Sequence, residues 1–149
     1  MTERFIEYER CKAMYGKLQK AFERALLEKE RLFTRTLPSA IRYDKDKVQS
    51  TVDVNPLEDF VINCEDKELE ERIARYRQHL KDWGMLLDIK ETELRQSRIL
   101  LDRVYVCRYL EGLSIKRMCG ILNYSRPQVY RKLSQLNKKM RQNETHNEV

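Results

Sequence analysis

The sequence predicts an all-α fold, a long coiled-coil-like helical hairpin followed by a group of shorter helices. Three observations lead there. Gly and Pro together number seven in 149 residues, too few breakers for a many-stranded fold. Two long segments place apolar residues at alternating steps of three and four, the period of one helix face. The C-terminal part carries paired start and stop signals at short spacing. Charged residues make up 36% and hydrophobic ones 41%; the apolar residues are patterned rather than scattered, which separates the chain from disordered sequences.

Residues 2 to 35 form the first expected helix. Tyr8, Cys11, Tyr15, Leu18, Phe22, Ala25 and Leu32 keep the rhythm, with Lys29 in the missing place, and Phe5, Leu26 and Phe33 widen the stripe. A helix of about 34 residues is about 50 Å long. Its stripe suits pairing with another helix of the chain, self-association with a second subunit, or an ordinary bundle. Residues 36 to 55 break the pattern at Pro38 and read as a long connector. Arg42, Tyr43, Lys45 and Lys47 are candidate phosphate contacts there, against the plainer reading of a solvated loop.

The second long helix is expected from residue 56 to about 96. Asn55 can cap it, Pro56 fits its first turn, and Glu58 can reach back to the cap. Leu69, Ile73, Tyr76, Leu80, Trp83, Leu87 and Leu94 continue the stripe, broken by Lys90. Glu58 to Asp102 holds 12 acidic and 8 basic residues; residues 2 to 35 hold 9 basic and 6 acidic. Opposite signs on two joined helices fit an antiparallel hairpin, although exposed pairs contribute little each. Gly84 in mid-helix implies a bend or a close approach, at about 1 kcal/mol relative to Ala.

Residues 97 to 141 read as a separate domain, with 142 to 149 as a flexible tail. Ile99 to Leu110 supplies a first helix that Gly112 stops. Ser114 caps a second, Ile115 to Leu122, and Asn123 suits a left-handed turn. Ser125 caps the third, with Pro127 in its first turn. At 100° per residue, Val129, Leu133, Leu136 and Met140 share one side of this helix, facing Ile115, Met118, Leu122 and Val104. Gln128, Arg131, Gln135 and Lys138 share the other. Cys119 reads as the small residue where two helices cross.

Charge gives this region a chemistry. From Gly112 to Asn143 there are eight Lys or Arg and no Asp or Glu, while the chain as a whole carries +6. A local, acid-free basic patch is the footprint expected of a nucleic-acid binder; the plainer alternative is a solvated basic face. Within the helix 126–140, Arg126, Gln128, Arg131 and Gln135 are the candidates for reading base edges in a major groove. Lys116, Arg117, Ser125, Lys132, Lys138 and Lys139 are the candidates for phosphate.

RILLDRVYVCRYLEGLSIKRMCGILNYSRPQVYRKLSQL resembles the C-terminal helix-turn-helix of sigma-70-type factors, the region-4 domain that binds the −35 promoter element. Asp46 to Ile73, DKVQSTVDVNPLEDFVINCEDKELEERI, resembles small phage regulators of the ArpU and RinA type, late-gene regulators of phages of Gram-positive bacteria. Together the segments cover about 45% of the chain. Asn123 and Tyr124 stand where the family has Gly and Ile in the turn, and Pro127 stands where it has Ser or Thr. The resemblance implies a transcription regulator on double-stranded promoter DNA, with host RNA polymerase as a partner, in the bacterial cytoplasm. No segment matches a promoter-melting domain, which favours an activator over a sigma-like factor with its own promoter recognition. A DNA-packaging small terminase subunit and a protein-interaction module using the hairpin are the other readings.

Other classes find little support. No apolar run approaches the roughly 18 residues that span a bilayer, and MTERFIEYER lacks a signal-peptide core. Cys11, Cys64, Cys107 and Cys119 form no CxxC pair and only His79 and His146 accompany them. Reduced, packed thiols are expected, without metal or cofactor. Four scattered glycines form no phosphate loop, and an enzyme is not expected.

Overall fold

The protein is all-α. The structure, a computed structural model, describes residues 3–36 and 56–147. Helix α1 is Arg4–Thr36 and α2 is Pro56–Arg95. Then come α3 (Leu100–Tyr105), a π-helical turn (Val106–Leu110), α4 (Ile115–Leu122) and α5 (Arg126–Asn147). No strand occurs among the described residues. Most of the connector, with Arg42, Tyr43, Lys45, Lys47 and the Asn55 cap, lies outside them.

The chain divides into two compact units, Met1–Tyr15 with Trp83–Val149, and Gly16–Asp82. This differs from the division at residue 96. The first turns of α1 and the last turns of α2 pack on the short helices, so they join that unit. Phe5 is the clearest case: it is fully buried and its ring stacks on Tyr105 at 5.6 Å. The core around it takes in Tyr8, Leu94, Val104, Cys107, Met118, Leu122, Val129 and Leu136. Each fully buried aliphatic side chain contributes about 1.5–3 kcal/mol.

Three helix ends of this unit meet at one carboxylate. Asp102 is fully buried. It accepts from the Phe5 amide at 3.1 Å, the Ser97 hydroxyl at 2.6 Å and the Arg4 amide at 3.4 Å. A helix start leaves amide protons without partners, and here a side chain from another helix takes them. Ser97 also accepts from the Ile99 amide at 3.2 Å, at the start of α3. Arg4 donates from its guanidinium to the Glu93 carbonyl at 2.7 Å, in the last turn of α2. Within the same unit Lys90 pairs with Glu7 at 3.0 Å and Glu93 at 3.2 Å, and these contacts raise its pKa above the ordinary lysine value. Gly84 faces the Tyr15 ring, so its reason is a close approach.

In the second unit Ala25, Leu69 and Ile73 are buried, with Phe22, Leu32 and Tyr76 against them. Lys29–Glu70 and Arg72–Glu28 link the two helices at 3.2 and 3.4 Å. Leu26 and Phe33, expected to widen the buried stripe, are exposed. One facing helix covers a narrower strip than the sequence offers.

The expected tail is also corrected. α5 continues to Asn147, past the boundary at 141. Asn143 accepts from Arg10 Nε at 3.1 Å, and no Gly or Pro interrupts residues 142–147. The first helix of the C-terminal group splits into α3 and the π turn. Val104 to Cys107 are four consecutive buried residues, more than one α-helical face can place inside. The wider π turn turns the neighbours inward together.

Candidate nucleic-acid interface

The π turn ends at Gly112, whose φ of 63° lies in the left-handed region that favours glycine. The Leu113 amide reaches back to the Cys107 carbonyl at 2.9 Å. Ser114 then caps α4, accepting from the Arg117 amide at 3.4 Å. α4 ends at Asn123 in a left-handed conformation, φ 56° and ψ 40°. Its amide and that of Tyr124 both turn back to the Cys119 carbonyl. Three residues, Asn123 to Ser125, separate α4 from α5. Gly112, Ser114 and Asn123 thus act as expected.

The start of α5 is built differently. The Ser125 hydroxyl does not accept from the helix. Its amide and its hydroxyl both donate to Gln128 Oε1, at 2.9 and 3.0 Å. This is the back-reaching half of a capping box, with Gln three residues after the cap. Gln128 and Ser125 are therefore structural partners in the free protein. Only the amide nitrogen of Gln128 remains for a base.

α5 separates into two faces. Val129 and Leu136 are buried, and Leu133 and Met140 are partly buried, against the core that includes Met118 and Leu122. Arg126, Arg131, Gln135 and Lys138 are exposed. Gln135 Oε1 accepts from Lys132 Nζ at 3.3 Å, leaving its amide nitrogen outward. Among the described residues, Arg126, Arg131 and Lys138 have no acidic partner. Lys116 and Arg117 are exposed at the start of α4.

Lys139 departs from the expectation. It pairs with Glu3, just before α1, and is partly buried. Its position on α5 lies about 100° from Lys138, which turns it from the exposed face to the α1 side. In this structure its charge is already matched by an acid, so it contributes less positive potential than Lys138.

Two buried groups support the interface from behind. Tyr105 is buried and bonded to Glu9; burial, then Glu9, pushes its phenol well above the ordinary value. Burial raises the Cys107 thiol, with Glu111 adding to the effect. A buried thiol held protonated is a packing group rather than a nucleophile. Among the described residues no group of three His, Cys, Asp or Glu is placed to hold a metal.

Arg108, Tyr109, Tyr130 and Arg141, which no motif in the sequence singles out, line a groove beside α5. Tyr109, within the expected helix Ile99 to Leu110, is 47% exposed and donates to Asn137 Oδ1 at 2.7 Å. It lies in the π turn, for which the sequence carries no periodic signal. No family model, curated protein or solved structure matches the chain. Among the described residues no helix is long and apolar enough to cross a membrane.

Proposed function

We propose that the chain is a sequence-specific DNA-binding transcription regulator, and that α5 is its reading helix in the major groove. The observation that carries the reading is the exposed face of α5. It presents Arg131, Gln135 and Lys138 without an acid, with Arg126 exposed at the helix start, on a helix capped at its start and packed along its opposite side. Arg131 is the strongest candidate for a bidentate contact with guanine, and Gln135 for adenine. Lys116, Arg117, Lys132 and Lys138 supply phosphate contacts that fix register. Lys139 joins them only by giving up Glu3.

The narrower role, a phage late-gene activator working with host RNA polymerase, rests on the sigma-70 region-4 and ArpU/RinA resemblance. Footprinting on the promoter region, with and without RNA polymerase, tests it. A protected site that strengthens or extends with polymerase, together with activated run-off transcription, supports the role. Protection no better than on random DNA counts against it.

A further inference from the structure

A groove of about 790 Å³ lies between the end of the π turn and α5, along α5 from Tyr130 to Thr145. Arg108 and Tyr109 line one wall, and Tyr130, Asn137, Lys138 and Arg141 line the other. We propose that this groove holds the sugar–phosphate backbone of one DNA strand alongside the reading face. The inference rests on the DNA-binding reading above and adds a second, sequence-independent contact line to it.

Charge and residue type point to this occupant. The groove has three cationic side chains and no acidic one among its lining residues. The rest of its polar lining is hydroxyl and amide groups, including Ser134 and Thr145. Arg, Lys, Ser, Thr, Asn, Gln and Tyr are the side chains that contact phosphate and sugar oxygens. Tyr130 is 58% exposed, and its ring has no stacking partner among the described residues. The Tyr109 bond to Asn137 Oδ1 fixes that amide and leaves its nitrogen to donate. Position favours a strand of the same duplex over an acidic protein segment. Lys138 belongs both to the groove and to the exposed face, so the two surfaces are continuous.

The π turn builds the groove. Arg108 and Tyr109, both within the turn, are exposed beside α5 and form one wall. The contact line then lies on the Arg141 flank of α5, about 160° around the helix from Lys139. This gives α5 a phosphate-facing flank on the side away from the Glu3 pair.

Binding of a fluorescent random-sequence duplex, titrated by anisotropy from about 50 to 200 mM salt, tests the proposal. Each lost phosphate contact lowers the slope of log affinity against log salt by about 0.9. Arg108→Gln with Arg141→Gln should therefore flatten the slope by about 1.8, and Arg141→Gln alone by about 0.9. Thermal melting separates binding from folding, because Arg108 also donates to the Leu113 carbonyl at 3.3 Å. Arg141→Gln provides the reading if the double variant melts early. A steep wild-type slope that Arg141→Gln leaves unchanged overturns the groove assignment alone and makes an acidic protein segment the better occupant. A wild type that does not bind, or binds with a flat salt response, overturns the DNA reading and the groove with it.

Discussion

Asp102→Ala should unfold its compact unit early, and the size of the loss follows from the contacts. The substitution removes the acceptor of the Phe5 amide and the Ser97 hydroxyl. Phe5 is fully buried and Ser97 is 7% exposed, so water replaces neither bond readily. Each buried donor left without a partner costs about 1–3 kcal/mol. Removing a buried carboxylate recovers part of its desolvation cost. The Arg4 bond, at 3.4 Å, adds little. The net expectation is a loss of about 2–4 kcal/mol, and a chain of this size shifts by about 2–4 °C per kcal/mol. Asp102→Asn retains the shape and one acceptor oxygen, so it should cost less. The single tryptophan, Trp83, lies in the same unit, so its fluorescence during heating follows that unit. Combining Asp102→Ala with Ser97→Ala should give less than the sum of the two losses, since they share a bond. A melting temperature for Asp102→Ala equal to wild type, or strict additivity of the pair, would refute the capping role.

Gln128→Glu should keep the fold and lose DNA, because Glu can still reach back to Ser125 and suits a helix start while placing a negative charge on the side proposed to face DNA. Equal melting temperature with sharply weaker duplex binding is the expected pair of results; unchanged binding would remove Gln128 from the interface. Gly84→Ala should stabilise by about 0.5–1 kcal/mol in denaturant unfolding, since the added carbon meets the Tyr15 ring at an ordinary 3.6 Å; a loss of stability would mean the helices cannot accommodate it. Stability should fall on the alkaline side. The Cys107 thiol and the Tyr8 and Tyr105 phenols are raised above their ordinary 9.0 and 10.0. The unfolded chain therefore loses these protons first, and the stability present below about pH 9 declines as pH rises through the folded values. Melting temperatures that stay level from pH 8 to about 11 would contradict this.

The helices were readable where local signals act. Alternating steps of three and four mark α1 and α2, and Gly112, Ser114 and Asn123 mark helix ends through conformations that their own residue types favour. The two-face division of α5 follows from 100° per residue alone. What escaped depends on distant partners. Nothing near Asp102 in the sequence shows that it caps a helix 97 residues away. Lys139 looks like Lys138 in the sequence, yet Glu3, 136 residues away, takes it up. Gln128 had the right spacing for a capping box, but its place on the polar face pointed to bases first. The π turn escaped because four adjacent apolar residues fit neither helical nor strand period cleanly.

Selection from a randomised duplex pool tests sequence-specific reading by α5 most directly. The wild-type chain should enrich a short motif and bind it with a salt slope of about −4 to −5 if ~5 phosphates are neutralised. Arg131→Ala should lose about 1–3 kcal/mol of preference at one position of that motif, whereas Lys132→Ala should weaken all sequences alike. A pool that emerges without an enriched motif, or an Arg131→Ala variant that enriches the same motif as strongly as wild type, would contradict it.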